Sequence, residues 1–297
     1  MMACAAASAT PSAIAGTSSH PWDTAAAGWN GHSALIHDWL HDATQAMLSD
    51  AQIEPGHRVL DIAAGAGDQT LDIARRVGAD GWVLATDVSP AILALAQKNA
   101  QAAGLRQVTT QVADAQSLDL PGADFDAAVC RLGLMFCRSP LAALQGIRVA
   151  LKPQGRFSAL VFGRPAHNPC LATTLATARK HAGLVEGSAT QIARAFNPGT
   201  LMSLGKPGLL QALLQAAGFV DVALRHVSAP FHAASAAHHV DFLRASASPL
   251  IEMLAPLSSV AQQEAWRDMT EQLQVFGDAS GWTGPNELLQ WIAVAPA

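Results

Sequence analysis

The first half of the chain alternates short apolar runs with stretches in which apolar residues return every three or four positions. Residues 59–62, apolar except for Asp61, read as a fully buried strand, and Leu71, Ala74 and Val77 follow at helical spacing. A second apolar run, residues 82–85, ends in Thr86-Asp87. Ser89-Pro90 supplies an N-cap and a proline for the first turn of the next helix, and Gly104 closes that helix. Ser139-Pro140 repeats the device, with Leu141, Leu144, Ile147 and Leu151 on one face. Strands alternating with capped helices predict right-handed crossovers and a parallel sheet. Later, Leu209, Leu210, Leu213, Leu214 and Ala217 form a helix closed by Gly218. Val220, Val222 and Leu224 alternate as a sixth strand, and residues 288–294 read as a last one.

The remaining segments divide around this core. Residues 1–20 are rich in Ala, Ser and Thr, with too few large apolar groups to offset the entropy of ordering, and are expected to be a disordered arm. No Lys or Arg precedes Arg58, which argues against a targeting peptide. Trp22-Asp23 and Gly28-Trp29-Asn30-Gly31 read as a turn-rich lead-in to a helix over residues 33–48. Residues 21–163 then hold the leading helices and the core. Residues 164–207 and 229–285 are extra to a minimal sheet and helical in part, the second through residues 240–243 and 257–273, and are expected to cap it. Residues 208–228 supply the return helix and sixth strand, and residues 286–297 the last strand.

Composition removes several functions. The net charge of −5 with no Lys/Arg cluster leaves no footprint for nucleic acid. No apolar stretch reaches the ~18 residues of a spanning helix. Cys4, Cys130, Cys137 and Cys170 have neither a C-x-x-C pair nor metal-ligand spacing, and read as reduced thiols of a cytoplasmic protein. The histidines of residues 232–239 have no acidic neighbour beyond Asp241, so no metal site is expected.

The candidate chemistry lies at residues 58–70, where a strand, a small-residue turn and a helix in succession place free N–H groups and a positive dipole end against a ligand. Gly65 and Gly67 remove the Cβ atoms that would hold a ligand off the backbone. Asp87, 20 residues beyond Gly67, stands where a carboxylate meets the two hydroxyls of a ribose. A dinucleotide site would carry a third glycine where this chain has Thr70, and Asp61 before the glycines would repel a pyrophosphate. Adenosine joined to an amino acid fits better than adenosine joined to phosphate.

Val59-Leu-Asp61-Ile-Ala-Ala-Gly65-Ala-Gly67 resembles the first motif of class I S-adenosylmethionine (SAM) methyltransferases, Asp/Glu-x-Gly-x-Gly-x-Gly, with Ala63 in place of the first glycine. Ala113-Asp114-Ala115, residues 125–135 and Leu151-Lys-Pro-Gln-Gly155 resemble its later motifs, in order, over about residues 57–163. The nearest subgroup is that of the ubiquinone/menaquinone-biosynthesis C-methyltransferases. The resemblance implies a Rossmann-like, doubly wound α/β fold of seven strands, the last antiparallel, with helical cap insertions. It implies SAM as cofactor and methyl transfer to a small, largely apolar acceptor, with O- or C-methylation of a ring or quinone-like compound preferred. Asp87, with Val88 beside it, is then expected on the ribose, Asp114 and the N–H of Ala115 on the adenine, and Asp61 and the carbonyl of Arg131 on the methionine amine. Ala63, Gly65 and Gly67 form the turn, and Asp68, Gln69 or Thr70 meets the methionine carboxylate. Trp29 is expected to lay its ring near the sulfonium or acceptor.

No motif places a general base; His32, His37, His167 and His232 are the candidates. Phe196, Met202, Phe231, Phe242, Met253 and Leu254 are candidates for an apolar acceptor pocket. The partner expected is a small molecule, neither nucleic acid nor membrane, and the pattern sets no oligomeric state. Two competing readings stand beside this one: a nicotinamide-dependent oxidoreductase, disfavoured by Thr70 and Asp61, and a non-catalytic SAM-binding protein.

Overall fold

Runs of apolar residues without alternation belong to strands covered on both faces, and the first strands behave accordingly. β1 (Arg58–Ile62), β2 (Trp82–Asp87) and β4 (Phe125–Arg131) lie in the middle of the sheet, where Val59, Leu60, Val83, Ala127, Ala128 and Val129 are almost fully buried. β3 (Val108–Val112) flanks β2, and β5 (Leu151–Phe162) flanks β4. The computed structural model describes residues 20–120, 124–184, 195–279 and 281–297. The expected arm, apart from His20, and Cys4 fall outside these residues, as does 185–194 of the first cap segment.

After β6 (Val220–Ser228) come the short strands β7 (Phe231–Ala233), β8 (Gly277–Asp278) and β9 (Gly281–Gly284), then β10 (Glu287–Val294). The main sheet runs β3-β2-β1-β4-β5-β10-β6. β1 pairs in parallel with β2 and β4, so Asp61 lies beside Ala85 on one side and Val129 on the other. β10 inserts antiparallel between β5 and β6, Trp291 facing Ala159 and Leu224. This is the seven-stranded, doubly wound sheet the resemblance implies. β6 is one of the two edge strands and is exposed along most of its length, including Val220 and Leu224.

The helices in chain order are α1 (Pro21–Gly31), α2 (Ser33–Asp50), α3 (Asp68–Val77), α4 (Pro90–Ala102), α5 (Pro140–Ala150), α6 (Pro169–His181), α7 (Leu209–Ala216), α8 (Ala236–Ser246), α9 (Ser248–Leu254) and α10 (Ser259–Leu273). α1 corrects the sequence reading, which took these residues as turns. His20 caps it reciprocally with Asp23: the Trp22 N–H donates to His20 Nδ1 at 3.3 Å, and the His20 N–H to Asp23 Oδ2 at 2.8 Å. The glycines that suggested a turn allow close packing instead. A Cβ on Gly28 would lie 1.7 Å from the Ala245 carbonyl oxygen of α8. The second correction concerns the segment after β6, which holds a three-stranded sheet, β7-β9-β8, besides its helices. Strands of two to four residues are too short to show a period.

Candidate functional site

The strand order reverses between β1 and β4, and in open α/β sheets the crevice beyond the strand ends at that point is the binding edge. A cavity of about 600 Å³ occupies it, lined by Ala63, Gly65, Gln69, Asp87, Asp114 and Arg131 among others. The turn between β1 and α3 runs through the left-handed region, with φ of 55° at Ala63, 59° at Gly65 and 91° at Gly67. For Ala63 this costs about 1 kcal/mol. Its methyl group finds room because Gly133 lies against it, where a Cβ would come within 2.2 Å. A Cβ on Gly65 would meet the Trp29 indole nitrogen at 3.3 Å. Gly67 serves packing, since a Cβ there would press on Ala96 of α4 at 3.1 Å.

Asp87 ends β2 with its carboxylate turned back over that loop. Oδ2 accepts from the Gly65 N–H and Oδ1 from the Ser89 N–H, both at 3.0 Å. Burial is the main influence on its carboxyl and raises its pKa above the ordinary value, while these N–H groups pull the other way. A desolvated carboxylate of this kind favours further donors. Asp114 caps the short turn after β3, accepting from the Gln116 N–H at 2.9 Å, and lines the cavity together with Ala115 and Val88.

Asp61 is placed differently from the expectation. It is fully buried and does not line the cavity: Gln69 Nε2 donates to Oδ1 at 3.1 Å and Thr70 Oγ1 to Oδ2 at 2.6 Å. Gln69 lines the cavity in its stead and keeps its carbonyl oxygen as an acceptor. Burial pushes the Asp61 carboxyl up to about 6 against the hydrogen bonds of Thr70 and Gln69 and the charge of Arg131. The native state therefore holds this proton more tightly than the unfolded chain, whose value is near 3.8. Its stabilising contribution is present below that value and is lost as pH rises through 6. The thermal midpoint of the wild type relative to Asp61→Asn should thus fall as pH rises from about 4 to about 6. A difference constant with pH would contradict the assignment.

Arg131 contributes a side chain that the sequence left without a part. Its guanidinium is 3% exposed, 2.7 Å from Asp68 Oδ2, and donates to Thr44 Oγ1 at 2.9 Å. It thereby ties β4 to α3 and α2. Asp68 in turn meets His37 Nδ1 at 2.9 Å.

The cavity is roofed by α1, which packs on α4, α8 and α9. Asp23 accepts from the Ser89 hydroxyl at the start of α4, and Asn99 Nδ2 donates to Asn30 Oδ1 at 2.8 Å. Trp22, Trp29, Leu132 and Phe136 line this cavity and also a second, apolar one of about 110 Å³ beside it. The second cavity continues into both segments extra to the sheet, through Leu171 and Leu175 on one side and Phe231, His239 and Phe242 on the other.

Residues 59–155 match the family described as "Methyltransferase domain". Over these residues the chain is similar to a methyltransferase domain. It is 33% identical over 135 residues to a ubiquinone/menaquinone biosynthesis C-methyltransferase, UbiE, of Coxiella burnetii, covering 45% of this chain and 53% of that one. It is 36% identical over 137 residues to the 2-phytyl-1,4-naphtoquinone methyltransferase of Trichormus variabilis, covering 44% and 59%. The chain thus spans somewhat over half the length of these curated relatives. A structure of Haemonchus contortus phosphoethanolamine N-methyltransferase 2 in complex with SAM covers 90% of this chain and 57% of that one, at 17% identity and a TM-score of 0.55. That likeness is one of fold.

Within residues 59–155, the structure gathers Ala63, Gly65, Gln69, Asp87, Val88, Asp114, Ala115 and Arg131 at one cavity, with Trp29 reaching in from α1. Asp61, Gly67 and Thr70 stand behind it. None of His32, His37, His167 and His232 lines either cavity. His32 Nδ1 lies 2.8 Å from the Gly28 carbonyl, His37 meets Asp68, His167 lies 2.7 Å from Glu287, and His232 meets Thr283 on the surface. His37, His41 and Asp72 do bring possible metal-binding atoms within 4.8 Å of one another, but Asp72 already accepts from Arg75 and Gln45. Of the six apolar candidates, Phe231 and Phe242 line the second cavity. Met202 and Leu254, each 1% exposed, are core, and neither Phe196 nor Met253 lines it. The sequence assigns no pocket role to Trp22, Phe136, Cys170 or His239, which the structure places in the lining of the second cavity.

Proposed function

We propose that this protein is a SAM-dependent methyltransferase acting on a small, largely apolar ring compound, by O- or C-methylation of a quinone-like acceptor. The observation that carries the reading is the adjacency of the two cavities: one on the glycine turn, lined by Gln69, Asp87 and Asp114, shares Trp22, Trp29 and Phe136 with an apolar one. The residues of the larger cavity fit the cofactor. Asp87 offers a desolvated carboxylate suited to ribose hydroxyls, Asp114 and Ala115 lie where an adenine would be met, and Gln69, backed by Asp61, presents an acceptor suited to an ammonium. Bound SAM would supply an electrophilic methyl group on a sulfonium. The chain's own work is orientation and exclusion of water, since such transfer requires no covalent intermediate with the protein. Trp22, Trp29 and Phe136 wall both cavities.

Residues 21–163 are read as the cofactor-binding unit and 164–207 and 229–285 as caps over the acceptor, a division supported by the second cavity's drawing on both segments. The names of the two quinone-related relatives support the acceptor class. Among the described residues no helix is long and apolar enough to cross a membrane, and Cys130, Cys137 and Cys170 are free and buried, which suits a reducing cytoplasm. Incubation of cell extract with the protein and methyl-labelled SAM should yield a labelled ring compound by mass spectrometry. Label confined to phosphorylated amines or to nucleic acid would refute the acceptor class; absence of SAM binding would refute the enzyme.

A further inference from the structure

A cluster of possible metal ligands lies apart from both cavities. His37 and His41 are four residues apart on α2, so they share one face of the helix, with ring centroids 5.2 Å apart. Asp72 joins them from α3, which packs on α2. Each of the three brings one possible ligand atom within 4.8 Å of those of the other two. None of them lines either cavity. The His37 ring is held by a carboxylate: its Nδ1 lies 2.9 Å from Asp68 Oδ1, and the other oxygen of Asp68 lies 2.7 Å from the buried Arg131 guanidinium. With Nδ1 paired, Nε2 is the nitrogen that keeps a lone pair for an ion. Metal-ligating histidines are held in this way, the second nitrogen donating to a carboxylate that fixes the tautomer and raises the basicity of the first. His41 is exposed, so further coordination positions are open to water.

We propose that His37, His41 and Asp72 form a binding site for a divalent transition metal of the zinc class, two imidazoles and a carboxylate leaving the fourth position to water. The inference goes beyond the methyltransferase reading and stands whatever the cavities bind. Imidazole suits zinc, nickel and copper, whereas magnesium and calcium take oxygen ligands. Ligands at about 2.0–2.2 Å from a tetrahedral ion stand about 3.4 Å apart. From separations within 4.8 Å, the three atoms need to draw together by at most about 1.4 Å, which rotation of the exposed His41 ring accommodates. Asp72 accepts from Arg75 at 2.9 Å and from Gln45 at 3.3 Å, one donor on each oxygen. Each carboxylate oxygen has a second lone pair. The Arg75 side chain is 57% exposed, and an ion pair so placed contributes little, so it yields to an ion. A metal held here would link α2 to the first turns of α3, the helix that follows the glycine turn.

The test is calorimetric titration of Zn²⁺ into the full chain, freed of metal beforehand with a chelator, and of Mg²⁺ in parallel. The wild type should bind one Zn²⁺ per chain with micromolar-class affinity and give no heat with Mg²⁺ at the same concentrations. His41→Ala and Asp72→Asn should each lose at least about tenfold, the scale on which even the outer partner of a metal ligand counts. Arg75→Ala, which removes a competitor for Asp72, should bind about threefold more tightly, the worth of an exposed ion pair. His238→Ala removes an exposed histidine of α8 and should bind as the wild type does, which separates the cluster from binding by any surface imidazole. Thermal midpoints without metal show whether each variant is folded. No Zn²⁺ binding by the wild type, equal binding of Mg²⁺, undiminished affinity in folded His41→Ala, or a loss in His238→Ala as large as that in His41→Ala would overturn the proposal.

Discussion

Asp87→Ala should weaken binding of both SAM and S-adenosylhomocysteine by about two orders of magnitude, measured by calorimetry. Each charge-assisted hydrogen bond contributes about 1.5–3 kcal/mol, and a factor of ten corresponds to about 1.4 kcal/mol. Two ribose hydroxyls on one carboxylate therefore set the scale. The two backbone donors that Asp87 already holds, from Gly65 and Ser89, fix where the carboxylate stands. The substitution thus removes both the acceptor and the anchor of the glycine turn. Asp87→Asn keeps one carbonyl acceptor and should lose only about tenfold. The fold itself should tolerate the change, because Asp87 is a carboxylate whose ionised form burial already disfavours. The thermal midpoint without ligand should move by only about 2–4 °C. Unchanged affinity in Asp87→Ala would mean that the nucleoside lies elsewhere.

Gly28→Ala is expected to separate binding from turnover. In an ordinary helix interior this substitution stabilises by about 1 kcal/mol. Here the new Cβ would lie 1.7 Å from the Ala245 carbonyl oxygen and 2.4 Å from its carbon, both backbone atoms. α1 and α8 must therefore move apart, at an overpacking cost of about 1–3 kcal/mol. α1 carries Trp22 and Trp29, and α8 carries His239 and Phe242, so the shift falls on the wall between the cavities. A misplacement of about 1 Å can cost about 10²-fold in rate. The methyl-transfer rate should fall by that order, while Asp87 and Asp114, on the sheet ends, retain most of the cofactor affinity. A rise in thermal midpoint with full activity would show that α1 does not hold this position in solution.

The parts of this protein legible from its residues are those whose causes are local. The glycine turn after β1 announces itself through small residues at fixed spacing. The starts of α4 and α5 do so through Ser-Pro pairs, and the central strands through unbroken apolar runs. Asp87 was legible because a short crossover fixes its distance from Gly67. α1 was not, because Gly28 and Asn30-Gly31 carry the local signature of a turn, and the fit of Gly28 against the α8 backbone is a contact between distant segments. The strands β7 to β9 escaped because so few residues cannot display a period.

At the site, the pattern named residues most of which line the larger cavity, whereas packing assigned their contacts. Asp61 was recognised as a motif acid, but its burial behind Gln69 and Thr70 depends on α3 folding back over β1. Arg131 was identified through its backbone, and its pairing with Asp68 and Thr44 needed three elements to converge. Cys170 and His239 are 69 positions apart and meet only because α6 and α8 close over the same apolar space. Local chemistry within a dozen residues determines turns, caps and strand interiors, because the energies involved act between near neighbours in the chain. The apolar cavity is made of side chains contributed by distant segments, and hydrophobic burial that joins such segments is blind to sequence order. Its shape therefore belongs to the tertiary structure alone.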